Sequence, residues 1–323
     1  MRRRQSSRQQ EPVVETKNLI RGRNFRLRGA QTGRRFFSLA RHAFNLDHYE
    51  NFPVASVLVP RHLRAPIQVI YRFARSADDI ADEGQISDAA RLASLASYRA
   101  QLRRVAGGLP PDPDPEPELF ATLGHAIREW ELPLQLFEDL LDAFCQDVGQ
   151  KRYADFAALA DYCRRSANPV GRLLLALYKV CDEVSLKRSD SICTSLQLIN
   201  FWQDVALDLE KGRVYMPQET LRQHGFGPGE DVPGAWDGRF RAAMKFELDR
   251  ARALMLHGAP LARTLQGRVG WELALVVQGG LRIIEKTEAV QYDVFKRRPV
   301  LGKPDWLVMA VRAATARLCR PVQ

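Results

Sequence analysis

Two short acidic clusters are the parts of this chain whose residue types and spacing could do chemistry. The first, DDIAD, spans residues 78–82, and the second, DVALD, spans residues 204–208. Both lie in segments with helical apolar spacing, so the first and last aspartate of each cluster share one helix face. Like charges at this spacing destabilise a helix by roughly a few tenths of a kcal/mol. A chain that does this twice is expected to hold a cation there.

Mg²⁺ is the cation that the pattern favours. It takes oxygen ligands and usually binds through one or two carboxylates together with substrate phosphates. Two facing helices that carry carboxylates therefore predict two half-sites, which a diphosphate would complete. The alternative is a solvated helix face or a helix N-terminus, where Asp is common. The second cluster favours the metal site over this alternative.

Further polar residues extend each cluster into a stripe. Tyr71 and Arg75 precede the first cluster by helical steps, and Gln197 and Asn200 precede the second. The other positions of both segments are largely apolar, which is typical of buried helices. Because charges on a buried helix are paired or bind metal, the stripes are predicted to line an interior site. A solvent-facing stripe is the alternative.

A basic loop, KGRVYMP at residues 211–217, follows the second cluster. Gly212 and Pro217 indicate that the helix ends here. Lys211 and Arg213 could take the charge of a departing diphosphate. The alternative is that basic residues simply favour helix C-termini.

The long segments follow helical spacing and alternating patterns are scarce, which predicts an all-α fold. No linker divides residues 36–323, so we expect one helical bundle with its site on facing helices. Pro169 and Gly171 predict a kink in a long helix, either in a cavity wall or for packing. The predicted helices cover residues 61–83, 88–106, 118–130, 133–148, 155–181, 186–210, 237–257, 268–290 and 305–318.

The basic charge of the chain is concentrated in residues 1–35. This segment has ten Arg and one Lys against two Glu, which gives +9 of the net charge of +10. Its composition predicts a disordered tail. The tail could contact anionic lipid, bind nucleic acid without specificity, or result from an upstream start codon. A specific nucleic-acid site is not predicted.

Composition also excludes several classes of protein. No stretch approaches the roughly 20 apolar residues of a membrane-spanning helix. The five cysteines form no CxxC pair, which predicts reduced thiols and neither a disulfide framework nor a zinc site. No glycine-rich nucleotide-binding fingerprint is present. We therefore expect a cytoplasmic protein that could make peripheral contact with the inner membrane.

The two motifs resemble those of the squalene/phytoene synthase family. The first reads YxFxRxxDDIAD at residues 71–82, and the second reads QLxNFWQDxxxDxxKGRxYxP at residues 197–217. The resemblance covers roughly residues 40–290 and implies an all-α isoprenoid synthase that acts on isoprenoid diphosphates. Within the family, HYENFPVAS at residues 48–56 and NFWQD at residues 200–204 look most like the bacterial hydroxysqualene synthases of the hopanoid pathway.

The resemblance implies a role for each motif residue. The implied Mg²⁺ ligands are Asp78, Asp79, Asp82, Asn200, Asp204 and Asp208. The implied catalytic residues are Tyr71, Arg75, Tyr162 and Gln197. The implied substrate-binding residues are His48, Phe52, Arg75, Gln203, Lys211, Arg213 and Tyr215.

The implied reaction is the Mg²⁺-dependent conversion of presqualene diphosphate and water to hydroxysqualene with release of diphosphate. Gln203 stands where many relatives carry Arg, which favours one diphosphate over the condensation of two farnesyl diphosphates. The alternatives are a squalene, dehydrosqualene or phytoene synthase, and a non-catalytic family member that acts as an assembly factor. Loss of the aspartates would indicate the assembly factor, and all of them are present. A helical scaffold with solvated acidic faces is the remaining alternative.

Overall fold

The computed structural model describes residues 59–227, 229–230, 232 and 237–318. This part of the chain is built from helices and has no β-strand, which confirms the all-α prediction. Its one β-type contact is an isolated parallel bridge between Arg152 and Val214. The predicted tail at residues 1–35, His48 and Phe52 lie outside the described residues.

The described residues form thirteen helices, several of which begin at N-cap residues. Ser87, Asp155, Asp182 and Asp237 each accept a hydrogen bond from a backbone N–H in the first turn of their helix, which satisfies a donor that the helix leaves open. The helices are α1 Arg61–Asp82, α2 Asp88–Ala106, α3 Pro117–Glu129, α4 Leu134–Gly149, α5 Phe156–Ser166, α6 Asn168–Leu177, α7 Glu183–Gln203, α8 Val205–Glu210, α9 Gln218–Gln223, α10 Gly238–Gly258, α11 Leu261–Thr264, α12 Gly267–Ala289 and α13 Lys303–Leu318.

The helix predicted over residues 155–181 is divided in two. The division falls at Ala167, between α5 and α6. Pro169 lies in the first turn of α6, where its missing N–H costs no hydrogen bond. The predicted kink at Pro169 is therefore confirmed.

The prediction of one unbroken helix over residues 186–210 was wrong. Asp204 (φ −102°, ψ 11°) ends α7 and precedes α8. Its backbone carbonyl still accepts a hydrogen bond from the Asp208 N–H at 2.8 Å. The break therefore keeps the two aspartates one turn apart. No Gly or Pro marks this position, so the sequence carries no signal for it.

Two large apolar clusters form most of the core of the described residues, and a small third one contains Ala262, Ala274 and Ala313. Helices α1–α4 build one cluster, and α5, α7, α10 and α12 contribute to the other. Helix α6 joins them, because Leu173 lies in the first cluster and Leu175 in the second. On α7 every residue from 192 to 202 is buried, as its apolar composition predicted. The second acidic motif thus begins on a helix surrounded by protein.

Helices α6 and α10 approach α7 closely at glycines. A Cβ added at Gly171 would lie 2.4 Å from Ser189 Oγ, and one at Gly258 would lie 2.6 Å from the Arg188 carbonyl oxygen. A side chain at either position would push the helices apart. Among the described residues, no helix combines the length and the apolar character that crossing a membrane requires.

Candidate active site

The two motifs meet at Asp82, the last residue of α1. Its carboxylate accepts hydrogen bonds from Arg213 Nη1 at 3.0 Å and Arg213 Nη2 at 2.6 Å. Lys211 Nζ lies 3.5 Å from the same carboxylate. The Asp82 and Arg213 side chains are only 6% and 7% exposed. The basic loop therefore lies against the first acidic cluster.

The basic loop is held in place by the segment that follows α4. The Val214 N–H donates to the Lys151 carbonyl at 2.9 Å, and the Gln218 N–H donates to the Tyr153 carbonyl at 2.9 Å. Lys151 Nζ donates to the backbone carbonyls of Asp147, at 2.9 Å, and Val148, at 3.0 Å. These carbonyls lie at the C-terminal end of α4, where a cation is favourable. Burial, and then the charge of Arg213, lowers the pKa of Lys151.

Arg75 is the cation of the first cluster. Its guanidinium lies 3.1 Å from the Asp78 carboxylate and 2.8 Å from that of Glu83, and it also pairs with Asp79. Among these four side chains, one positive charge faces three negative charges. The predicted contact of Arg75 with a diphosphate stays a prediction.

Asp204 in the second cluster pairs with Arg298, a residue that the sequence did not indicate. Arg298 Nε lies 2.5 Å from Asp204 Oδ1, and Arg298 Nη2 lies 3.3 Å from Oδ2. Asn200 Nδ2 also donates to Oδ2, at 3.2 Å. Gln203 Nε2 donates to the Pro299 carbonyl at 2.7 Å. Gln203 thus holds the segment that carries Arg298.

An aromatic cluster, formed by Tyr153, Tyr162, Phe201 and Tyr215, lies beside the charged groups. Phe201 and Tyr215 stack with their ring centroids 3.8 Å apart, and the other rings lie within 6.2 Å of a neighbour in the cluster. The Tyr162 hydroxyl donates to Asp147 Oδ2 at 2.7 Å in a buried bond. Asp147 also accepts from Arg213 Nη2 through its backbone carbonyl, at 3.3 Å. Asp147 therefore connects the aromatic cluster to the basic loop.

Gln197 is a predicted catalytic residue with an unusual environment. It lies on α7 one turn before Asn200, and its Oε1 is buried without a hydrogen-bond donor among the described residues. Leaving a buried acceptor unsatisfied costs about 1–3 kcal/mol. A protein retains such a group more readily where a ligand or water supplies the donor. Tyr71 is half-buried on α1, and its predicted role stays a prediction.

The oxygen atoms of both motifs suit Mg²⁺. Asp78, Asp79, Asn200, Asp204 and the buried Asp208 offer carboxylate and amide oxygens, which Mg²⁺ prefers. In the described part of the chain, no group of three or more His, Cys, Asp or Glu side chains could hold a metal ion by itself. The donors fit a Mg²⁺ ion that takes its other ligands from water and a bound phosphate. Basic side chains already pair with several of these carboxylates, Arg75 with Asp78 and Asp79, and Arg298 with Asp204. Asp82 has two basic partners, Lys211 and the buried Arg213.

Four residues near the motifs were missed by the sequence reasoning, namely Asp147, Lys151, Tyr153 and Arg298. The sequence could have indicated Asp147, because an acidic residue in the last turn of a helix is unfavourable for the helix dipole and therefore suggests a specific role. Arg298 carried no such signal, because it follows two other basic residues in the run KRR at 296–298.

Known proteins resemble the chain over most of its length. The family model for Squalene/phytoene synthase matches residues 46–305. The hydroxysqualene synthase of Zymomonas mobilis is 32% identical over 279 residues, which cover 83% of this chain and 88% of that protein. The phytoene synthase of Mycobacterium tuberculosis is 29% identical over 277 residues, which cover 84% of this chain and 88% of that protein.

Solved structures share the fold. Squalene synthase HpnC from Alicyclobacillus acidocaldarius is 34% identical and aligns with a TM-score of 0.70 over 80% of this chain and 95% of that one. A dehydrosqualene synthase in complex with a ligand is 19% identical, with a TM-score of 0.69 over 82% of this chain and 90% of that one. With two acidic motifs joined through Arg213 and a family match that spans both, the chain belongs to the squalene/phytoene synthase family.

Proposed function

We propose that this chain catalyses the Mg²⁺-dependent conversion of presqualene diphosphate and water to hydroxysqualene and diphosphate. The observation that carries the proposal is the ion pair of Arg213 with Asp82, which joins the two acidic motifs beside buried aromatic rings. The hydroxysqualene synthase of Zymomonas mobilis, at 32% identity, supports it. Membership of the family supports an isoprenoid synthase activity, whereas presqualene diphosphate as the substrate is our proposal.

Departure of the diphosphate begins the reaction. Mg²⁺, when bound, would neutralise the charge that develops on the phosphate oxygens. Asp78, Asp79, Asn200, Asp204 and Asp208 would hold it. Lys211, beside Asp82, can bind the leaving group electrostatically. The carbon–oxygen bond breaks, its electron pair leaves with the diphosphate, and a carbocation forms on the hydrocarbon.

The aromatic cluster stabilises that carbocation. Ring faces attract cations at distances of up to about 6 Å, and Tyr162, Phe201 and Tyr215 present such faces in a buried setting. Asp147 fixes the Tyr162 hydroxyl by accepting its hydrogen bond. The cation can therefore rearrange from its cyclopropyl form without early contact with bulk water.

Capture by water ends the reaction. The water oxygen forms the new carbon–oxygen bond and releases one proton. Presqualene diphosphate and water thus give hydroxysqualene, diphosphate and one proton. No hydride is transferred and no reductant is required. Gln197 Oε1, which lacks a donor among the described residues, can accept a hydrogen bond from this water and hold it.

The second candidate is the head-to-head condensation of two isoprenoid diphosphates. The phytoene synthase of Mycobacterium tuberculosis, at 29% identity, favours it. Gln203 argues against it, because a neutral amide stands where many relatives carry Arg and its Nε2 donates to the Pro299 carbonyl. A site that accepts two diphosphates needs more positive charge. A non-catalytic assembly role is disfavoured by the retention of both aspartate clusters.

The test is product analysis with the purified full chain. Protein is incubated with Mg²⁺ and either presqualene diphosphate or farnesyl diphosphate, without NADPH, and the lipid is identified by mass spectrometry. We expect hydroxysqualene from presqualene diphosphate and little product from farnesyl diphosphate. EDTA should abolish turnover, and Asp78→Asn should reduce it by about a hundredfold. As a control, Asp249→Asn on the exposed face of α10 should retain wild-type turnover. Full activity in EDTA would contradict the metal requirement.

A further inference from the structure

Arg298 lies in the segment between α12 and α13 and engages both carboxylate oxygens of Asp204. The two contacts measure 2.5 Å from Nε and 3.3 Å from Nη2. This places a protein cation on the carboxylate oxygens that are proposed to bind Mg²⁺. Asn200 Nδ2 occupies a further direction at Oδ2. The carboxylate therefore has little capacity for a metal ion while Arg298 remains in place.

Two adjacent bonds attach this segment to the end of α7. Gln203 Nε2 donates to the Pro299 carbonyl at 2.7 Å, and its neighbour Asp204 accepts from Arg298. The first bond fixes the backbone of the segment and does not depend on the guanidinium. Loss of the Arg298–Asp204 contact would therefore leave the Arg298 side chain tethered within reach of the site.

The pair differs from that of Arg213 and Asp82 in its access to solvent. The Arg298 side chain is 34% exposed, against 7% for Arg213. Water reaches the Arg298 guanidinium, but the Asp204 side chain is only 10% exposed. Because a buried carboxylate left without a partner is costly, Arg298 can leave only when another cation takes its place. Arg298 is thus the cation that can leave its carboxylate, and Arg213 is the one that stays.

We propose that Arg298 is an internal counter-ion of Asp204 that arriving Mg²⁺ displaces, after which its guanidinium binds the diphosphate. This inference rests on the proposed function, because it assumes the metal–diphosphate substrate. The planar fork of Arg matches phosphate oxygens as well as carboxylates. The exchange keeps the buried Asp204 neutralised before and after the substrate arrives, and it moves one positive charge onto the leaving group.

The test separates metal binding from diphosphate binding by calorimetry on the full chain, without turnover. Titration with Mg²⁺ alone should show tighter binding to Arg298→Gln than to wild type, by about threefold or more, because a competing charge is gone. Titration with inorganic diphosphate in excess Mg²⁺ should show weaker binding to the same variant, by about tenfold. A merely structural loss would weaken both. Arg297→Gln, an exposed neighbour, is the matched control and should behave as wild type.

Arg298→Lys keeps the charge and removes the fork. Its affinity for Mg²⁺ should stay close to that of wild type, while its affinity for diphosphate should fall. If wild type binds Mg²⁺ and Arg298→Gln binds it equally or more weakly, the counter-ion role is overturned and the proposed function stands. If wild type binds neither Mg²⁺ nor Mg²⁺–diphosphate, the proposed function fails and this inference fails with it.

Discussion

Arg213 donates two hydrogen bonds to the carboxylate of Asp82, which lies 131 positions earlier in the sequence, and so joins the two motifs. The two-pronged contact fixes the direction of both side chains, which a single contact with a lysine would not do. The ion pair orients the basic loop along the first acidic cluster. The position of the proposed leaving-group site therefore depends on it.

Asp82→Asn should destabilise the protein by about 3 kcal/mol, because it leaves the buried Arg213 guanidinium without its carboxylate. Urea denaturation gives the free energy of unfolding. Glu183→Gln, which breaks the exposed pair with Lys187, is the control and should cost less than about 1 kcal/mol. Equal losses in the two variants would show that the Asp82 pair does not hold the motifs together.

Gln197→Leu should separate stability from catalysis. The substitution replaces a buried acceptor that lacks a donor among the described residues with an apolar side chain of similar size. Tm should therefore stay the same or rise, since an unsatisfied acceptor costs about 1–3 kcal/mol. Formation of the alcohol from presqualene diphosphate should fall by about tenfold or more, because water loses an acceptor.

Asn200→Leu is the matched control for Gln197→Leu. Asn200 Nδ2 donates to Asp204 Oδ2 at 3.2 Å, so this variant loses a hydrogen bond to a charged group and should lower Tm. Scanning calorimetry and a product assay compare the two variants. A fall in Tm for Gln197→Leu as large as that for Asn200→Leu would mean that Gln197 is satisfied within the protein.

The attachment of α13 to α12 should weaken in acid. Burial would raise the pKa of Asp305, but hydrogen bonds from Lys286, the Gly302 N–H and Arg282 outweigh it and lower the pKa to about 2. Because the folded-state pKa lies below the unfolded value, the stabilisation is present above pH 4 and is lost as the pH falls towards 2. We expect a loss of about 1 kcal/mol between pH 5 and pH 2.5, allowing for solvent screening.

Denaturant melts of wild type and Asp305→Asn across this pH range measure the effect. The variant lacks the titrating carboxyl, so its unfolding free energy should depend less on pH, and it should be the less stable protein at pH 6. Parallel pH curves for the two proteins would show that Asp305 does not contribute to the acid sensitivity.

Local spacing was enough to predict much of the fold. The aspartates of the first cluster share one face because α1 is continuous from Arg61 to Asp82, and Pro169 interrupts a helix where proline chemistry requires it. The break at Asp204 could not be predicted, because it involves neither Gly nor Pro. It arises where α7 meets the segment that carries Arg298.

The site could be predicted only in part, because it depends on contacts between segments that are distant in the sequence. In the run of basic residues at 296–298, Lys296 pairs with Asp293, three positions away, whereas Arg298 reaches Asp204, 94 positions away. The local sequence gives no indication of the second contact. The bond from Tyr162 to Asp147 likewise depends on how α5 packs against α4. The sequence predicted which residues could do chemistry, whereas the packing determines which of them contact each other.

The origin of the product oxygen distinguishes water capture of the carbocation from every other outcome of the proposed reaction. Purified protein is incubated with presqualene diphosphate and Mg²⁺ in H₂¹⁸O, without NADPH, and the product is examined by mass spectrometry. We expect hydroxysqualene that carries one ¹⁸O atom, because water captures the carbocation. An unlabelled alcohol would contradict water capture. A hydrocarbon product would contradict the proposed reaction, and so would efficient conversion of farnesyl diphosphate to squalene or phytoene. Either result would leave the family membership unaffected.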